Sequence, residues 1–314
     1  MSRVWIGALL IGCLVAGAAA TQQKGNRRAR SASATPPGVT TITSFDKEHT
    51  VVGWLEILPL QSTVFHNTRM LRVLVPANYF SPHNAGRSYP VLYMQDGQEL
   101  FDRATSQPGE WQMDETVEHL VGSFQIPPMF VVGIDNAGEQ RAAEYLPYPA
   151  PQQDHLKDEK SVHGKEYMRF LLTEVMPFVE KHYRIARGPQ NTGLGGSSYG
   201  GDIALYTALQ HPGVFGHLLV ESPLLAIGNG QLLKDAERAK VLPRKLYVGV
   251  GTAESGDSPH HEEALKDVQE LESILRKKGM GAARLKVMVE EGGQQNPVAW
   301  AHRLPEALLF LYGH

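Results

Sequence analysis

The chain has 314 residues, of which 42% are hydrophobic and 20% are charged, and its formal net charge is −3. These values are typical of a soluble globular protein that is long enough to bury a substantial core. The small negative charge gives no general electrostatic basis for binding nucleic acid. The only cysteine, Cys13, lies near the start of the chain, which excludes an internal disulfide and a thiolate zinc site.

The first twenty residues predict export to the periplasm or the outside of the cell. A short basic start is followed by an uncharged stretch that ends in three alanines, which is the pattern of a cleaved secretory signal at residues 1–20. Because the stretch only just reaches the length of a membrane helix, we expect no stable membrane span after cleavage. Cys13 follows Leu10-Ile11-Gly12, which resembles a bacterial lipobox, so a lipoprotein is the alternative.

The rest of the chain predicts a linker followed by one folded domain. Residues 21–40 are polar, basic and without apolar periodicity, which indicates a disordered linker. From residue 41 to 314, β-type and helical runs alternate, which predicts an α/β domain with a mostly parallel central sheet flanked by helices. Strands are predicted at 69–76, 89–97, 129–135, 216–222, 245–251 and 284–291, and helices near 164–183, 200–210, 261–278 and 298–312. Pro177 is expected to kink the first of these helices or to start a new one.

The segment "GGSSYGG" (195–201) contains the spacing G-x-S-x-G. A short strand leads into it and a helix follows it, as in the sharp turn that exposes a serine nucleophile. This context makes Ser198 the candidate nucleophile and the backbone amide of Tyr199 a candidate oxyanion donor. A phosphate-binding loop fits poorly, because no Lys-Ser or Lys-Thr follows the glycines.

Five longer segments of the chain follow one another in a distinctive order. They are "YMQDGQELFD" (93–102) with Trp111, "VVGIDNAGEQRAAEY" (131–145), "LLTEVMPFVEKHYR" (171–184), "GGSSYGGDIALYTALQHPGVFG" (195–216) and "VGVGTAES" (248–255). Together they resemble the "putative esterase" family, the α/β-hydrolase branch that contains esterase D, the enterochelin esterases and the feruloyl esterases. The resemblance covers nearly all of the chain from about residue 41, and the motifs come in the order of the family. It implies an α/β-hydrolase fold and a serine esterase that cleaves a small-molecule carboxylic ester through an acyl-enzyme, and it implies no cofactor or metal.

The resemblance also implies roles for individual residues. Ser198 matches the nucleophile, and the turn after a central strand matches the loop that supplies the second oxyanion amide, at Gly97 or Gln98. The acid of the triad follows "VGVGT", which makes it Glu254, with Asp257 as a rival. Independently of the family, a carboxylate that follows both the serine and the end of a strand fits the chain order of an α/β-hydrolase.

The expected catalytic histidine is absent from its position. The family loop reads approximately Gly-Gly-x-His-Asn, whereas this chain reads Gly-Gly-Gln-Gln-Asn at 292–296, so that Gln295 occupies the histidine position. The tryptophan that follows in the family is present as Trp300, but Pro297 also departs from the pattern. A glutamine amide can hydrogen-bond but is not basic near neutral pH, so we expect weak activity.

Several alternatives remain open at the histidine position. A substitute base could come from His302, His260 or His261. Without any base, the chain would be a catalytically impaired pseudo-hydrolase that binds a ligand. A substitution introduced to trap a substrate is a further alternative, although the second departure at Pro297 favours natural divergence. Trp111, Tyr145 and Trp300 are candidates for the wall of a substrate pocket or for the core.

Overall fold

The computed structural model describes residue 1 and residues 38–107, 109–150, 156, 158–255 and 261–313. Nearly all of the predicted signal segment and linker, with Cys13, lies outside these residues, as do Asp257 and His260. Within the described ranges, no helix is both long enough and apolar enough to cross a membrane.

The described part of the domain is built on a nine-stranded sheet. Its strands are β1 Thr40–Thr43, β2 Trp54–Gln61, β3 Thr68–Val75, β4 Val91–Gln95, β5 Phe130–Ile134, β6 Thr192–Ser197, β7 His217–Glu221, β8 Lys245–Gly251 and β9 Leu285–Glu290. They lie side by side in the order β1-β2-β3-β5-β4-β6-β7-β8-β9. The first three pairings, from β1 to β5, are antiparallel, and the remaining five are parallel.

Helices cover both faces of this sheet. They are α1 Met113–Gly122, α2 Arg141–Tyr145, α3 Gly164–Phe170, α4 Met176–His182, α5 Tyr199–Gln210, α6 Ile227–Arg238, α7 His261–Lys277 and α8 Pro297–Tyr312. Short 3-10 turns lie at Pro82–Asn84, Gly97–Glu99, Gly138–Gln140, Glu159–Ser161 and Pro189–Asn191. A π-helical turn at Leu171–Val175 joins α3 to α4 directly before Pro177, which is how the chain accommodates this proline within one helical run.

Alternating side chains of the central strands enter two separate cores. In β4, Val91 and Tyr93 pack in the core under helices α2 to α7, whereas Leu92 and Met94 pack in the core under α1 and α8. Because both faces are covered, the parallel strands are continuously apolar, as their sequences predict. The carboxyl ends of β4, β6, β7 and β8 meet at one edge of the sheet, which brings the segments that follow them together.

All the strands and helices predicted from the sequence are present, and the fold is the predicted α/β sheet flanked by helices. The sequence pattern did not predict β1, β2, α1, α2 or α6. In β2, Pro59 breaks the expected strand pattern. Because β1 pairs only with residues 54–57, Pro59 lies in the part of β2 that forms an edge of the sheet, where a proline is tolerated. In α6, Gly228, Asn229 and Gly230 all have positive φ, which hides its helical period.

A buried arginine ties α8 to the carboxyl ends of two strands. The guanidinium of Arg303 donates to Glu221 Oε2 at 2.9 Å and to Glu290 Oε2 at 2.6 Å. Arg303 is 1% exposed and Glu221 is fully buried. Burial raises the pKa of Glu221 to about 7, and the charge of Arg303 opposes this rise. The pair therefore fixes the position of α8 through two desolvated charges, each of which requires the other.

Replacing Arg303 by methionine should lower the free energy of unfolding by about 3–5 kcal/mol, because it leaves the buried Glu221 carboxylate unpaired. Urea unfolding would measure the loss. The control is Lys165→Met, which removes an exposed pair with Glu159 and should cost less than about 1 kcal/mol. Adding Glu221→Gln to Arg303→Met should recover part of the loss; equal costs in the single and double variants would show that the unpaired charge is not its cause.

Candidate active site

Ser198 lies at a strained turn between β6 and α5. Its backbone has φ 54° and ψ −130°, a conformation that side-chain-bearing residues rarely adopt and that costs about 1–3 kcal/mol. Two hydrogen bonds hold it: the Ser198 amide donates to the carbonyl of Glu221 at 2.9 Å, and the Ser198 carbonyl accepts from the Asp202 amide at 3.1 Å. The turn is therefore fixed by the neighbouring strand on one side and by α5 on the other.

The two glycines of the G-x-S-x-G spacing are required by close contacts. A Cβ on Gly196 would lie 2.7 Å from the backbone of Gly200, and one on Gly200 would lie 3.0 Å from Asp96 Oδ2. The first distance is shorter than real side chains show, so position 196 requires glycine, and the second is tight enough that a side chain at 200 would have to displace Asp96.

The hydroxyl of Ser198 takes no part in holding this turn. Within the described part of the chain, the hydrogen bonds of Ser198 are made by its backbone, and the residue is half-buried. A side chain at a strained position that does not support its own backbone is available for chemistry.

Two helical starts lie next to this serine. Tyr199 is the first residue of α5, and Gly97 and Gln98 begin the 3-10 turn after β4. The first amides of a helical turn have no carbonyl partner within the helix, so they are suited to bind a developing negative charge. Gln98 is fixed by its side-chain oxygen, which accepts from the Asn136 amide at 3.1 Å.

A buried salt bridge holds the loop that follows β4. Asp96 has a φ of 57° and is 1% exposed, and Arg141 of α2 donates to both of its carboxylate oxygens at 2.6 and 2.7 Å. Asn136 donates to the same carboxylate at 2.7 Å. Arg141 and Asn136 were not identified from the sequence, although both lie in the segment 131–145 that resembles the family.

Glu254 follows β8 and is 8% exposed. Its Oε1 accepts from the Ser222 hydroxyl at 2.8 Å and from the Gly251 amide at 2.5 Å. Its Oε2 is buried and has no hydrogen-bond partner among the described residues. Burial raises the pKa of Glu254, and the hydrogen bonds from Gly251 and Ser222 oppose this rise. One oxygen of a desolvated carboxylate is therefore free to accept a proton donor.

Gln295 contacts the backbone of Glu254 and makes no hydrogen bond to its carboxylate. The backbone N–H of Gln295 donates to the backbone carbonyl of Glu254 at 3.3 Å. The side-chain Nε2 of Gln295 donates to the backbone carbonyl of Ser222 at 3.3 Å. The next residue, Asn296, caps α8 by accepting from the Ala299 amide at 3.0 Å, and Pro297 takes the first helical position. Pro297 is thus explained as a helix start, since its missing N–H costs nothing there.

Ser222 joins the acid to the core and was not identified from the sequence. Its hydroxyl accepts from the indole nitrogen of Trp300 at 2.9 Å and donates to Glu254. The available signal was its position, because Ser222 directly follows β7 at the same sheet edge as Ser198.

Among the described residues, no contact joins a candidate substitute base to Ser198. The side chain of His302 is 76% exposed, and its Nδ1 lies 2.6 Å from Glu290 Oε1. His261 begins α7, its side chain is not described, and His260 lies outside the described residues.

The three aromatic residues proposed for a pocket wall lie in the protein interior. Trp111 and Trp300 are 1% and 6% exposed, and their rings are 5.4 Å apart. Tyr145 is fully buried, and its hydroxyl accepts from the Asp96 amide at 3.3 Å. They support the loops of the site from within the core; contact with a substrate remains a prediction. Across the described residues, no group of three or more His, Cys, Asp or Glu side chains is placed to hold a metal ion.

Sequence comparison matches residues 62–311 to the family described as "Putative esterase". The chain belongs to this esterase family. Within the esterases, it is 30% identical to the apo-salmochelin esterase of Escherichia coli O6:H1 over 62% of this chain and 61% of that protein. It is also 24% identical to the uncharacterized protein YbbA of Bacillus subtilis (strain 168), over 78% of this chain and 93% of that one.

Solved structures of esterases share the fold. A ferulic acid esterase superposes with a TM-score of 0.62 and 19% identity, over 82% of this chain and 97% of that one. The enterobactin esterase of Shigella flexneri superposes with a TM-score of 0.59 and 20% identity, over 82% of this chain and 59% of that one. The α/β-hydrolase-like fold expected from the sequence is therefore confirmed.

Replacing Glu254 by glutamine should increase stability at neutral and higher pH. Because the pKa of Glu254 is raised in the folded state, the native protein binds more protons than the unfolded chain above the ordinary pKa of this residue. Stability is therefore lost as the pH rises through the folded-state pKa, and the glutamine variant should escape this loss. Melting temperatures at pH 5 and pH 8 would check this prediction. The melting temperature of the variant, relative to that of the native protein, should be higher at pH 8 than at pH 5. Glu237→Gln, at an exposed position of α6, is the control, and an equal gain there would contradict the prediction.

Proposed function

We propose that the protein hydrolyses a small-molecule carboxylic ester through an acyl-enzyme on Ser198, and that turnover is slow because Gln295 occupies the position of the base. The observation that carries the proposal is the strained Ser198 turn, whose backbone is anchored at both ends while its hydroxyl makes no hydrogen bond to any residue that the structure describes. Membership of the esterase family supports the reaction class.

In this mechanism, the Ser198 oxygen attacks the ester carbonyl carbon. The amide of Tyr199 and that of Gly97 or Gln98 stabilise the oxyanion, which collapses to the acyl-enzyme as the alcohol leaves. Water then attacks the acyl carbon and releases the acid and free Ser198. In a complete triad an imidazole carries the proton in both steps. Here the proton must pass to water, because an amide at position 295 cannot accept it.

The surroundings of Gln295 support the loss of a base rather than its relocation. Glu254 Oε2 is buried and unpartnered among the described residues, and the backbone of Gln295 contacts that of Glu254, so we expect this oxygen to be the acceptor for a histidine at position 295. That acceptor would orient the ring and stabilise its charged form. Under this proposal, Glu254 offers an unpartnered oxygen to an imidazole that position 295 does not supply.

A ligand-binding protein without turnover is the second candidate. It is favoured by the ordered replacement of the histidine loop, in which Gln295 bonds to Ser222 and Asn296 caps α8. A loop with its own hydrogen bonds does not need a histidine to be stable. Measuring ester hydrolysis would distinguish a slow esterase from a ligand-binding protein.

The proposal predicts slow hydrolysis of p-nitrophenyl acetate that disappears in Ser198→Ala. Gln295→His should raise kcat/KM by about 10²–10⁴-fold, since this is the usual contribution of a general base. Steady-state kinetics of the purified protein would measure both changes. Esters of ferulic acid and of 2,3-dihydroxybenzoyl compounds should be tested next. One structure with the same fold is a ferulic acid esterase, and another was solved in the presence of 2,3-dihydroxy-N-benzoyl-glycine.

Two controls make the result specific. Gln295→Asn alters the same position without adding a base and should leave kcat/KM low. Glu254→Gln placed in the Gln295→His background should remove most of the gain, because the new imidazole loses its acceptor. A folded Gln295→His variant with no gain would contradict the assignment of position 295. Equal rates for the native protein and Ser198→Ala would favour the binding-protein candidate.

We further propose that residues 1–20 are removed on export and that residues 21–40 link the mature N-terminus to the domain. Mass spectrometry of the protein from a secreting host should give a mature chain that begins at Thr21. A chain that begins at a lipid-modified Cys13 would establish the lipoprotein alternative, and an intact N-terminus at residue 1 would refute export with cleavage.

A further inference from the structure

A cleft of about 680 Å³ opens at the edge of the sheet opposite to Ser198. Its walls come from residues that precede or begin parallel strands: Asn191 before β6, His217 in β7 and Lys245 in β8, closed by Leu311 and Tyr312 at the end of α8. The amino ends of parallel strands lie at the opposite edge from their carboxyl ends, so this cleft is separate from the candidate active site. Its volume falls in the range of about 300–1,000 Å³ that is usual for small-molecule sites.

The cleft is positively charged although the whole chain is not. Arg244, Lys245 and Arg284 line it, and the described lining residues include no Asp or Glu. Lys245 donates to the carbonyl of Phe310 at 2.7 Å, and Arg284 donates to the carbonyl of Pro243 at 2.7 Å. Both acceptors are neutral, so they position the cations without neutralising them.

Two buried polar atoms beside these cations lack partners. His217 is 9% exposed and Tyr312 is 6% exposed, and their rings pack edge to face 4.7 Å apart. Among the described residues, no group hydrogen-bonds to His217 Nδ1 or to the Tyr312 hydroxyl. Buried polar atoms are normally satisfied. Both atoms have almost no exposed surface and the Tyr312 hydroxyl lies against Gly193 of β6, so they lie behind the wall of the cleft, and it is the cations that face a ligand.

The cations also act on His217. Its pKa is lowered to about 4, first by burial and then by the charges of Lys245 and Arg244. The imidazole is therefore neutral at pH 7 and offers one donor and one acceptor, rather than a further positive charge.

We propose that this cleft binds a small anion with an apolar body, a carboxylate or a phosphate monoester. The anionic head would lie against Arg244, Lys245 and Arg284, and the apolar body against Pro90 and Leu311. A neighbouring hollow shares Arg284 and adds Arg238, Lys240 and Lys278, which extends the positive field that attracts anions to this face.

The test is calorimetric titration of the full chain with phenyl phosphate and with inorganic phosphate. We expect saturable binding of phenyl phosphate, weaker binding of phosphate, and lower affinity at higher salt. The double variant Arg244→Gln/Arg284→Gln should weaken phenyl phosphate binding by more than about tenfold, as expected for lost charge-assisted hydrogen bonds. The double variant Lys47→Gln/Lys165→Gln removes the same charge from exposed positions elsewhere and should bind normally.

A second variant separates loss of binding from loss of folding. His217→Phe keeps a ring against Tyr312 but removes the polar atoms, so it should weaken binding without unfolding the protein; its melting temperature would confirm this. Ser198→Ala should bind phenyl phosphate as the native protein does, which makes failure here distinguishable from failure of the esterase proposal.

Three outcomes would overturn the inference. They are no saturable binding of either probe, equal losses in the two double variants, and binding that appears only with phosphatidylserine vesicles. The last would identify the basic face as a membrane-binding surface instead.

Discussion

The buried pair of Glu221 and Arg303 organises the carboxyl edge of the sheet. Glu221 acts through two groups: its carbonyl accepts the amide of Ser198, and its carboxylate accepts the guanidinium of Arg303. The strained turn and the position of α8 therefore depend on one residue at the end of β7. Since α8 also brings Trp300 to Ser222, the hydrogen bond that orients the candidate acid depends on the same pair.

The electrostatics of this edge follow from the ratio of charges. Glu221, Glu254 and Glu290 surround Arg303, and burial raises the pKa of both Glu221 and Glu254. Arg303 is shared by Glu221 and Glu290, and Glu290 also contacts His302, whereas Glu254 has no cation among its hydrogen-bond partners in the described chain. A histidine that gains a proton during turnover would supply a positive charge, whereas neutral Gln295 does not. If the proposed function is correct, this environment suits an imidazole at position 295 better than the amide that occupies it.

Local pattern was enough to predict the central architecture. The apolar runs of the parallel strands, the glycines around Ser198 and the carboxylate after β8 each carry their signal within about ten residues. The features that the sequence did not predict depend on contacts between distant segments. Arg141 reaches Asp96 across 45 positions, and Ser222 reaches Trp300 across 78. The basic cleft is of the same kind, because its residues come from the starts of separate strands. Periodicity failed for a different reason in α6, where three residues with positive φ interrupt the helix.

The close packing around β6 means that its glycines do not by themselves indicate an active enzyme. A Cβ on Gly195 would lie 2.7 Å from the carbonyl of Leu219, and one on Gly196 would meet Gly200 at the same distance. Selection for folding alone would keep these glycines, so their persistence in a relative says nothing about whether that relative is an active enzyme. Ser198 is the opposite case. With a φ of 54°, glycine would occupy its position with less strain. Folding alone therefore does not require a serine at this position.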